Sequence, residues 1–296
     1  MIVLKGKAHD LGDGFFVNRI LPQPGRRTIG PFVFLDQFGP AAFAPGRGID
    51  VRPHPHIGLA TVTYLFEGSQ VHRDSLGTVQ SIYPGDVNWM IAGRGIVHSE
   101  RTGPDVRAHG HRMHGIQSWI GLPREDEETQ PSFQNVRQAD LPELNRDGVK
   151  LRLVVGKAFG LTSPVRVFSP IFYADARFAG GGKLEMTDEH DERAVLVIEG
   201  GVTVNGRPCV VGDMVVMEKG EAAALASDAP ARAMLLGGAP LDGERHVWWN
   251  FVSSRQSRIE QAKDDWHAMR FGTIPGDDKE FIPLPPDRPA PAPQLE

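Results

Sequence analysis

The sequence predicts an all-β protein made of two tandem β-barrels followed by one C-terminal helix. Three observations support this fold class. The 34 glycines and 24 prolines among 296 residues favour many short strands and turns over long helices. Short apolar runs alternate with turn-forming residues through both halves of the chain. A pattern in the first half also returns in the second, which favours two copies of one architecture.

Residues 1–122 are predicted to form the first β domain. Its apolar runs include residues 32–35, 60–66, 87–91 and 115–122, and dipeptides such as Pro45-Gly46 separate them. After Pro123 the chain becomes strongly charged. Residues 123–148 are therefore predicted to be a polar linker.

Residues 149–272 are predicted to form the second barrel together with its terminal helix. In the first half an apolar strand ends in Glu-Gly (YLFEG, 64–68), and a later Gly-Asp turn opens the next strand (YPGDV, 83–87). The second half repeats this order with VIEG (197–200) and VVGDMV (210–215). The repeat predicts two barrels with the same strand order.

One helix is predicted near the end of the chain, over residues 253–272. Ile259, Ala262, Trp266 and Met269 recur at helical spacing, and Gly272 is typical of a helix end. The remaining residues, 273–296, are predicted to be a proline-rich tail, and residues 283–296 of it are predicted to be disordered.

Composition excludes several classes of partner. The net charge of −5 gives no basic field for nucleic acid, so direct nucleic-acid binding is not expected. No run reaches the roughly 18 apolar residues of a membrane span, and the N-terminus lacks an apolar signal region. The single cysteine, Cys209, excludes an intrachain disulfide. A cytoplasmic protein is the expectation.

Two short motifs predict a metal site. His54-Pro55-His56 and His98-Ser99-Glu100 each place two ligand-type side chains two residues apart in a β-rich segment. Residues two apart on a strand point to the same face. If the two strands face each other, three imidazoles and one carboxylate meet, a set that suits a divalent transition metal with open positions.

The order of these pieces resembles a cupin, a jelly-roll barrel that encloses a small-ligand site. In the common cupin pattern a glutamate follows the His-x-His by four or five residues, but Ala60 and Thr61 stand there. Glu100 is expected to supply the missing carboxylate. By parity, Ala60, Val62 and Tyr64 are expected to share the face of His54.

Other histidines are weaker candidates. The cluster from His109 to His114 has glycine and arginine within it and is predicted to be a solvated bend. In the second barrel Glu192 stands two residues after His190, where a histidine would be needed, and Ala223 replaces the later histidine. The second barrel is therefore predicted to bind no first-row metal.

The chain closely resembles the pirin family, whose members are two-domain cupins. The resemblance is most specific over residues 32–122, and it continues more weakly at residues 237–241 and 249–254. It rests on these segments: LDQFGP (35–40), PHPH (53–56), HRDSLG (72–77), PGDVNWM (84–90) and AGRGIVHSE (92–100).

The resemblance implies one divalent metal per chain, with Fe(II) expected and nickel, manganese, copper and zinc as alternatives. The implied metal ligands are His54, His56, His98 and Glu100, and Glu100 is also the implied catalytic residue. The implied activity is that of a quercetin 2,3-dioxygenase acting on an aromatic small molecule and O2. The alternative is a non-enzymatic, redox-responsive regulator that binds a protein partner. The chain departs from many relatives at Leu59-Ala60 and Asn88, which leaves the substrate open.

Overall fold

In the computed structural model, which describes residues 1–10 and 16–286, most of the apolar runs form β-strands. The strands of the first half are β1 (Ile2–Lys5), β2 (Lys7–Asp10), β3 (Phe16–Leu21), β4 (Phe32–Phe43), β5 (Asp50–His56), β6 (Leu59–Glu67), β7 (Gln70–Asp74), β8 (Val79–Ile82), β9 (Val87–Ile91), β10 (Ile96–Arg101), β11 (His111–Gly121) and β12 (Ser132–Val136). The strands of the second half are β13 (Glu143–Arg146), β14 (Val149–Ala158), β15 (Leu161–Thr162), β16 (Ile171–Phe178), β17 (Gly182–Glu185), β18 (Glu192–Glu199), β19 (Gly201–Val204), β20 (Arg207–Val210), β21 (Asp213–Met217), β22 (Ala224–Ser227), β23 (Ala231–Gly238), β24 (His246–Trp248) and β25 (Phe251–Ser253). Helix α1 spans Pro104–His109, helix α2 spans Gln256–His267, and Gln138–Asp140 form a 3₁₀ turn.

The strands form two jelly rolls, each made of a large and a small antiparallel sheet. In the N-terminal domain the large sheet has the order β12-β9-β6-β11-β4-β3-β2, and the small sheet has the order β5-β10-β7-β8. In the C-terminal domain the large sheet runs β1-β21-β18-β23-β16-β14-β13, with β15 on β14, and the small sheet runs β17-β22-β19-β20. The prediction of an all-β fold with two tandem barrels and a C-terminal helix is confirmed.

The two large sheets pack face to face, and this contact makes the central strands apolar on both sides. In β6, Ala60, Val62 and Tyr64 belong to a core cluster that also contains Val154 and Tyr173 of the C-terminal domain. In β18, alternate residues enter this shared core or the interior of the second barrel. Because strands buried on both faces read as continuous apolar runs, periodicity alone does not reveal which face is which.

Residues 123–148, predicted to be a linker, are tied into both domains. Strand β12 pairs with β9 of the first domain, and β13 pairs with β14 of the second. Within the acidic run, Glu127 is buried and lies 2.8 Å from the guanidinium of Arg245. It also accepts hydrogen bonds from Ser253 and Ser254. A buried cation explains why part of this charged segment is not solvated.

The two ends of the chain are exchanged between the domains. Strand β1, at the N-terminus, pairs with β21 and so belongs to the large sheet of the C-terminal domain. Helix α2, near the C-terminus, packs on the N-terminal domain, where Ile259 and Trp266 share a core cluster with Ile57 and Val97. Each barrel is thus completed by the distant end of the polypeptide.

Helix α2 is shorter than the sequence pattern suggests. It ends at His267, and Met269 adopts a left-handed conformation with φ of 54°. The chain then runs back along the first barrel, where the amide of Ile282 donates to the carbonyl of Pro53 in β5. Of the predicted disordered tail, residues 287–296 lie outside the described part of the chain. None of the helices in the described ranges has the length and hydropathy of a membrane span.

Candidate metal centre

Three adjacent strands of the small N-terminal sheet carry the candidate site. Strand β10 lies between β5 and β7, so that His98 on β10 faces His54 of β5 on one side and Asp74 of β7 on the other. Two residues further along β10, Glu100 pairs with His72 of β7. The i, i+2 spacing in the sequence therefore places polar side chains on a common face of this sheet.

The structure brings His54, His56 and His98 together. One ring nitrogen from each of the three lies within 4.8 Å of those of the other two. All three side chains are buried, with relative exposures of 6%, 1% and 1%. This geometry allows one ion to be bound by the three imidazoles.

Hydrogen bonds on the other ring nitrogens leave one nitrogen of each histidine free. His54 Nδ1 lies 2.8 Å from the carbonyl of Arg52, and His56 Nδ1 lies 3.2 Å from the carbonyl of Asn250. His98 Nε2 is buried and has no hydrogen-bond partner. Among the described residues this atom lacks a partner; such a buried polar atom is costly, and a metal ion at this point would remove that cost. The donor set therefore fits a transition metal.

Burial also keeps the three rings neutral. It lowers the pKa of His54 to about 4, although the backbone bond to Arg52 acts in the opposite direction. Burial and the neighbouring histidines hold the pKa values of His56 and His98 well below the ordinary value. A neutral imidazole has the lone pair that a metal requires, so the site is ready to bind at neutral pH.

Glu100, the fourth predicted ligand, is buried next to this group but is not one of the three that converge within 4.8 Å. The hydroxyl of Thr63 lies 3.2 Å from its Oε1. Burial raises the pKa of the Glu100 carboxyl, while His72, Thr63 and Gln70 act in the opposite direction. Its role as a ligand stays a prediction.

His72 and Asp74 are site residues that the sequence reasoning missed. His72 Nδ1 lies 3.4 Å from His98 Nδ1, and His72 Nε2 lies 3.0 Å from Asp74 Oδ2. The signal was present, because His72-Arg73-Asp74 has the same i, i+2 spacing as the two recognised motifs. The sequence alone could not rank this pair, because its place beside His98 depends on the pairing of β7 with β10.

The parity argument for β6 was wrong. A turn at Ile57-Gly58 separates β5 from β6, so alternation does not continue from His54 into Tyr64. Tyr64 lies in the core between the domains, whereas Thr63 contacts Glu100. The opposite face of β6 therefore lines the metal site.

The remaining histidines stay apart from the group. His111 and His114 lie on strand β11 rather than on a solvated bend, and His114 is buried against Gln37. In the C-terminal domain His190 Nε2 lies 2.8 Å from the carbonyl of Lys157. Among the described residues, the group at His54 is the one set of three or more candidate ligands found close together.

Two aromatic side chains contact histidines of the site, and a surface cleft lies elsewhere. Trp119 meets His56 edge to face, and Phe133 stacks on His72 with ring centroids 4.4 Å apart. A surface cleft of about 630 Å³ lies beside α2 and is lined by Arg94 and Arg258, among others, but by none of the three histidines. The three imidazoles therefore locate the candidate metal site, because they offer nitrogen ligands and the cleft contains none of them.

Comparisons with known proteins agree with this geometry. The sequence profile of the pirin family matches residues 14–120, and that of the pirin C-terminal cupin domain matches residues 173–272. A pirin-like protein of Caulobacter vibrioides is 48% identical, with 96% of this chain and 99% of that protein covered. A Pseudomonas aeruginosa protein provisionally named quercetin 2,3-dioxygenase is 40% identical over 95% of this chain and 88% of its own.

Solved structures extend the comparison to the whole fold. The crystal structure of quercetin 2,3-dioxygenase from Acinetobacter baumannii superposes with a TM-score of 0.89 at 34% identity, covering 97% of this chain and 96% of that one. Both domains and nearly the full length are therefore shared with these relatives. The chain belongs to the pirin family.

Proposed function

We propose that the protein is a metal-dependent dioxygenase of the quercetin 2,3-dioxygenase type, with iron as its metal. The observation that carries the proposal is the convergence of three buried, neutral imidazoles, each with one nitrogen free for a metal. The names of the Pseudomonas and Acinetobacter relatives support the reaction class. The substrate would be a flavonol or a similar enol or catechol.

His54, His56 and His98 would hold the metal, and Glu100 would complete the set. When bound, the metal supplies a path for electrons between an electron-rich ring and O2. Glu100 would take the proton of the substrate hydroxyl, since a buried carboxylate next to the metal ligands is within reach of a hydroxyl entering there. Trp119 and Phe133 contact the rings of His56 and His72 and would limit the access of water to them.

The first experiment is anaerobic purification with elemental analysis, followed by oxygen uptake on addition of quercetin. We expect near-stoichiometric iron and the consumption of one O2 per flavonol without an added reductant. His54→Ala should lose both iron and uptake, because it removes a ligand. His111→Gln is the matched control, since it changes a histidine outside the group, and it should behave like the unchanged protein.

A Glu100→Gln variant tests the proposed base and fourth ligand. Glutamine keeps a hydrogen-bonding side chain beside Thr63 but carries no negative charge, so we expect lower iron occupancy and no oxygen uptake. Full occupancy and full uptake in this variant would show that Glu100 has neither role.

The alternative function is that of a metal-dependent regulatory protein that binds a protein partner. One observation favours it: a polar cleft of about 630 Å³, lined by arginines such as Arg94 and by the acidic residues Glu128 and Asp265, lies outside the metal site. Stoichiometric iron with no uptake on any flavonol or catechol would move the assignment to this alternative. Absence of metal from the carefully prepared protein would contradict both functions.

A further inference from the structure

A buried chain of hydrogen-bonding groups leads from β7 to the metal site. Asp74 Oδ2 lies 3.0 Å from His72 Nε2, and His72 Nδ1 lies 3.4 Å from His98 Nδ1. The three side chains have relative exposures of 0%, 4% and 1%. No bulk water is therefore available to exchange protons or to replace a lost partner along this chain.

The positions of the hydrogens follow from the partners of Asp74. Its Oδ1 accepts hydrogen bonds from the backbone amides of Leu76 and Thr78, at 2.9 and 3.0 Å. Its Oδ2 therefore faces His72, and a carboxylate oxygen only accepts, so His72 carries its hydrogen on Nε2. The bare Nδ1 of His72 then accepts from His98, which must carry its hydrogen on Nδ1. The Nε2 of His98 is left with a lone pair.

His98 depends on this chain more than the other two histidines depend on their partners. His54 and His56 each meet a backbone carbonyl, at Arg52 and Asn250, which accepts in every circumstance. His98 instead meets another imidazole, and an imidazole nitrogen is a donor or an acceptor according to its tautomer. The carboxylate of Asp74 accepts from Nε2 of His72, and this fixes Nδ1 of His72 as an acceptor rather than a donor.

We propose that Asp74 and His72 are positioning residues that set the tautomer of His98 and so direct its Nε2 lone pair to the metal. The inference rests on the proposed function in one respect, that a metal binds at the three histidines. It does not depend on the substrate or on the reaction. Outer partners of this kind typically change metal affinity by roughly 10- to 100-fold.

Asp74→Asn is the most direct test, because it reverses the direction of the hydrogen bonds from residue 74 to His98 without removing a candidate metal ligand. The backbone amides of Leu76 and Thr78 hold the side-chain oxygen on their side, so the amide nitrogen of the new side chain must face His72. That nitrogen donates, which forces the hydrogen of His72 onto Nδ1. His98 then has to accept at Nδ1 and to carry its own hydrogen on Nε2, where the metal would bind.

His72→Phe removes the hydrogen bonds between Asp74 and His98 altogether. Phenylalanine keeps a ring that stacks on Phe133, as His72 does, but it offers no acceptor to His98. The hydrogen of His98 then has no fixed place, and both tautomers become populated. This variant keeps the inference testable if Asp74→Asn does not fold.

Two readouts test the inference, and only one of them needs a metal. The ¹⁵N shifts of histidine-labelled, metal-free protein report which ring nitrogen of His98 carries hydrogen. Calorimetric titration with Co(II) reports the affinity of the site. The matched controls are Asp86→Asn, a buried carboxylate that also accepts backbone hydrogen bonds, and His114→Phe, a buried histidine outside the group.

We expect hydrogen on Nδ1 of His98 in the unchanged protein and in both controls, and on Nε2 in Asp74→Asn. Both site variants should bind Co(II) about 10- to 100-fold more weakly, and the controls should not. Hydrogen on Nε2 in the unchanged protein, or equal affinity in all variants, would overturn the inference. If the unchanged protein binds no metal, the proposed function fails, while the ¹⁵N shifts still decide the tautomer.

Discussion

Thr63 is the residue whose single hydroxyl joins the candidate base to the rest of the barrel. Its Oγ1 lies 3.2 Å from Glu100 Oε1 and 2.8 Å from Gln117 Oε1. A hydroxyl has one hydrogen and two lone pairs, so Thr63 donates to one of these oxygens at a time. A hydrogen bond to a charged group contributes about 1.5–3 kcal/mol, and Gln70 is another side chain that hydrogen-bonds to Glu100.

Thr63→Val should lower the free energy of unfolding by about 1–3 kcal/mol and reduce metal occupancy, because the buried carboxylate loses a donor. Valine has nearly the same shape, so packing changes little. Urea unfolding and elemental analysis measure the two effects. Thr61→Val, two residues earlier on the same face of β6, is the matched control, and equal behaviour of the two variants would contradict the prediction.

Among individual residues, the sequence predicted those in which two side chains of metal-ligand type stand two positions apart on a strand. His54, His56 and His98 come together as expected. Thr63 and His72 could not be ranked in the same way, because their roles depend on which strands become neighbours. The parity of Thr63 was also misjudged, since a single turn at Gly58 reverses the alternation.

Gly58 shapes the turn that joins β5, the strand of His54, to β6. Its φ is +68°, and a Cβ at this position would collide with the carbonyl of Val252. Its amide donates to the carbonyl of Gly93 at 2.8 Å. Only glycine satisfies both the left-handed conformation and the close approach of the backbone.

Gly58→Ala should destabilise the protein by more than about 1–3 kcal/mol, the cost of left-handed strain alone, because backbone must also move. Moving β5 should weaken Co(II) binding in the same variant. Gly77→Ala is the control, since Gly77 has a φ of +90° but open space where the Cβ would lie. Thermal unfolding should show a smaller loss for Gly77→Ala, and the reverse order would refute the clash.

At the element scale the strands and the terminal helix were predictable, but their partners were not. The helix pattern at Ile259, Ala262 and Trp266 is correct, and all three residues are buried. The pattern does not say that they pack on the first domain. Strand β12 was hidden in a polar segment because it lies at the edge of its sheet and its residues are only partly buried apart from Val136.

The whole molecule is held together by a buried ion pair as well as by apolar packing between the domains. Asp175 accepts two hydrogen bonds from Arg232, at 2.8 and 2.6 Å, and one from the hydroxyl of Tyr64 in the other domain, at 2.8 Å. The guanidinium of Arg232 also lies 4.0 Å from the ring centroid of Phe66. The network therefore links β16 and β23 to β6.

Stability should fall in acid partly through Asp175. Burial raises the pKa of its carboxyl, but the hydrogen bonds and charge of Arg232 outweigh burial and leave it below the ordinary 3.8. A carboxyl with a lowered pKa stabilises the fold above its unfolded pKa, and this contribution disappears as the pH falls through the folded pKa. Urea unfolding from pH 7 to pH 3 should show the loss below about pH 4.

Asp175→Asn should cost about 3–5 kcal/mol at pH 7, because it leaves Arg232 buried without a counter-charge. Its stability should then change less than that of the unchanged protein below about pH 4. Lys5–Asp213, an ion pair with a well-exposed lysine, provides the control: Lys5→Met should cost about 0–1 kcal/mol. Similar losses in the two variants would contradict the assignment.

The placement of β1 in the C-terminal domain and of α2 on the N-terminal domain affects when each contact can form during synthesis. Ile2 pairs with Val216, so β1 cannot form this pairing until synthesis has passed β21. His56 likewise waits for the carbonyl of Asn250. The candidate metal site of the first barrel is therefore fully supported only after residue 250 has been synthesised.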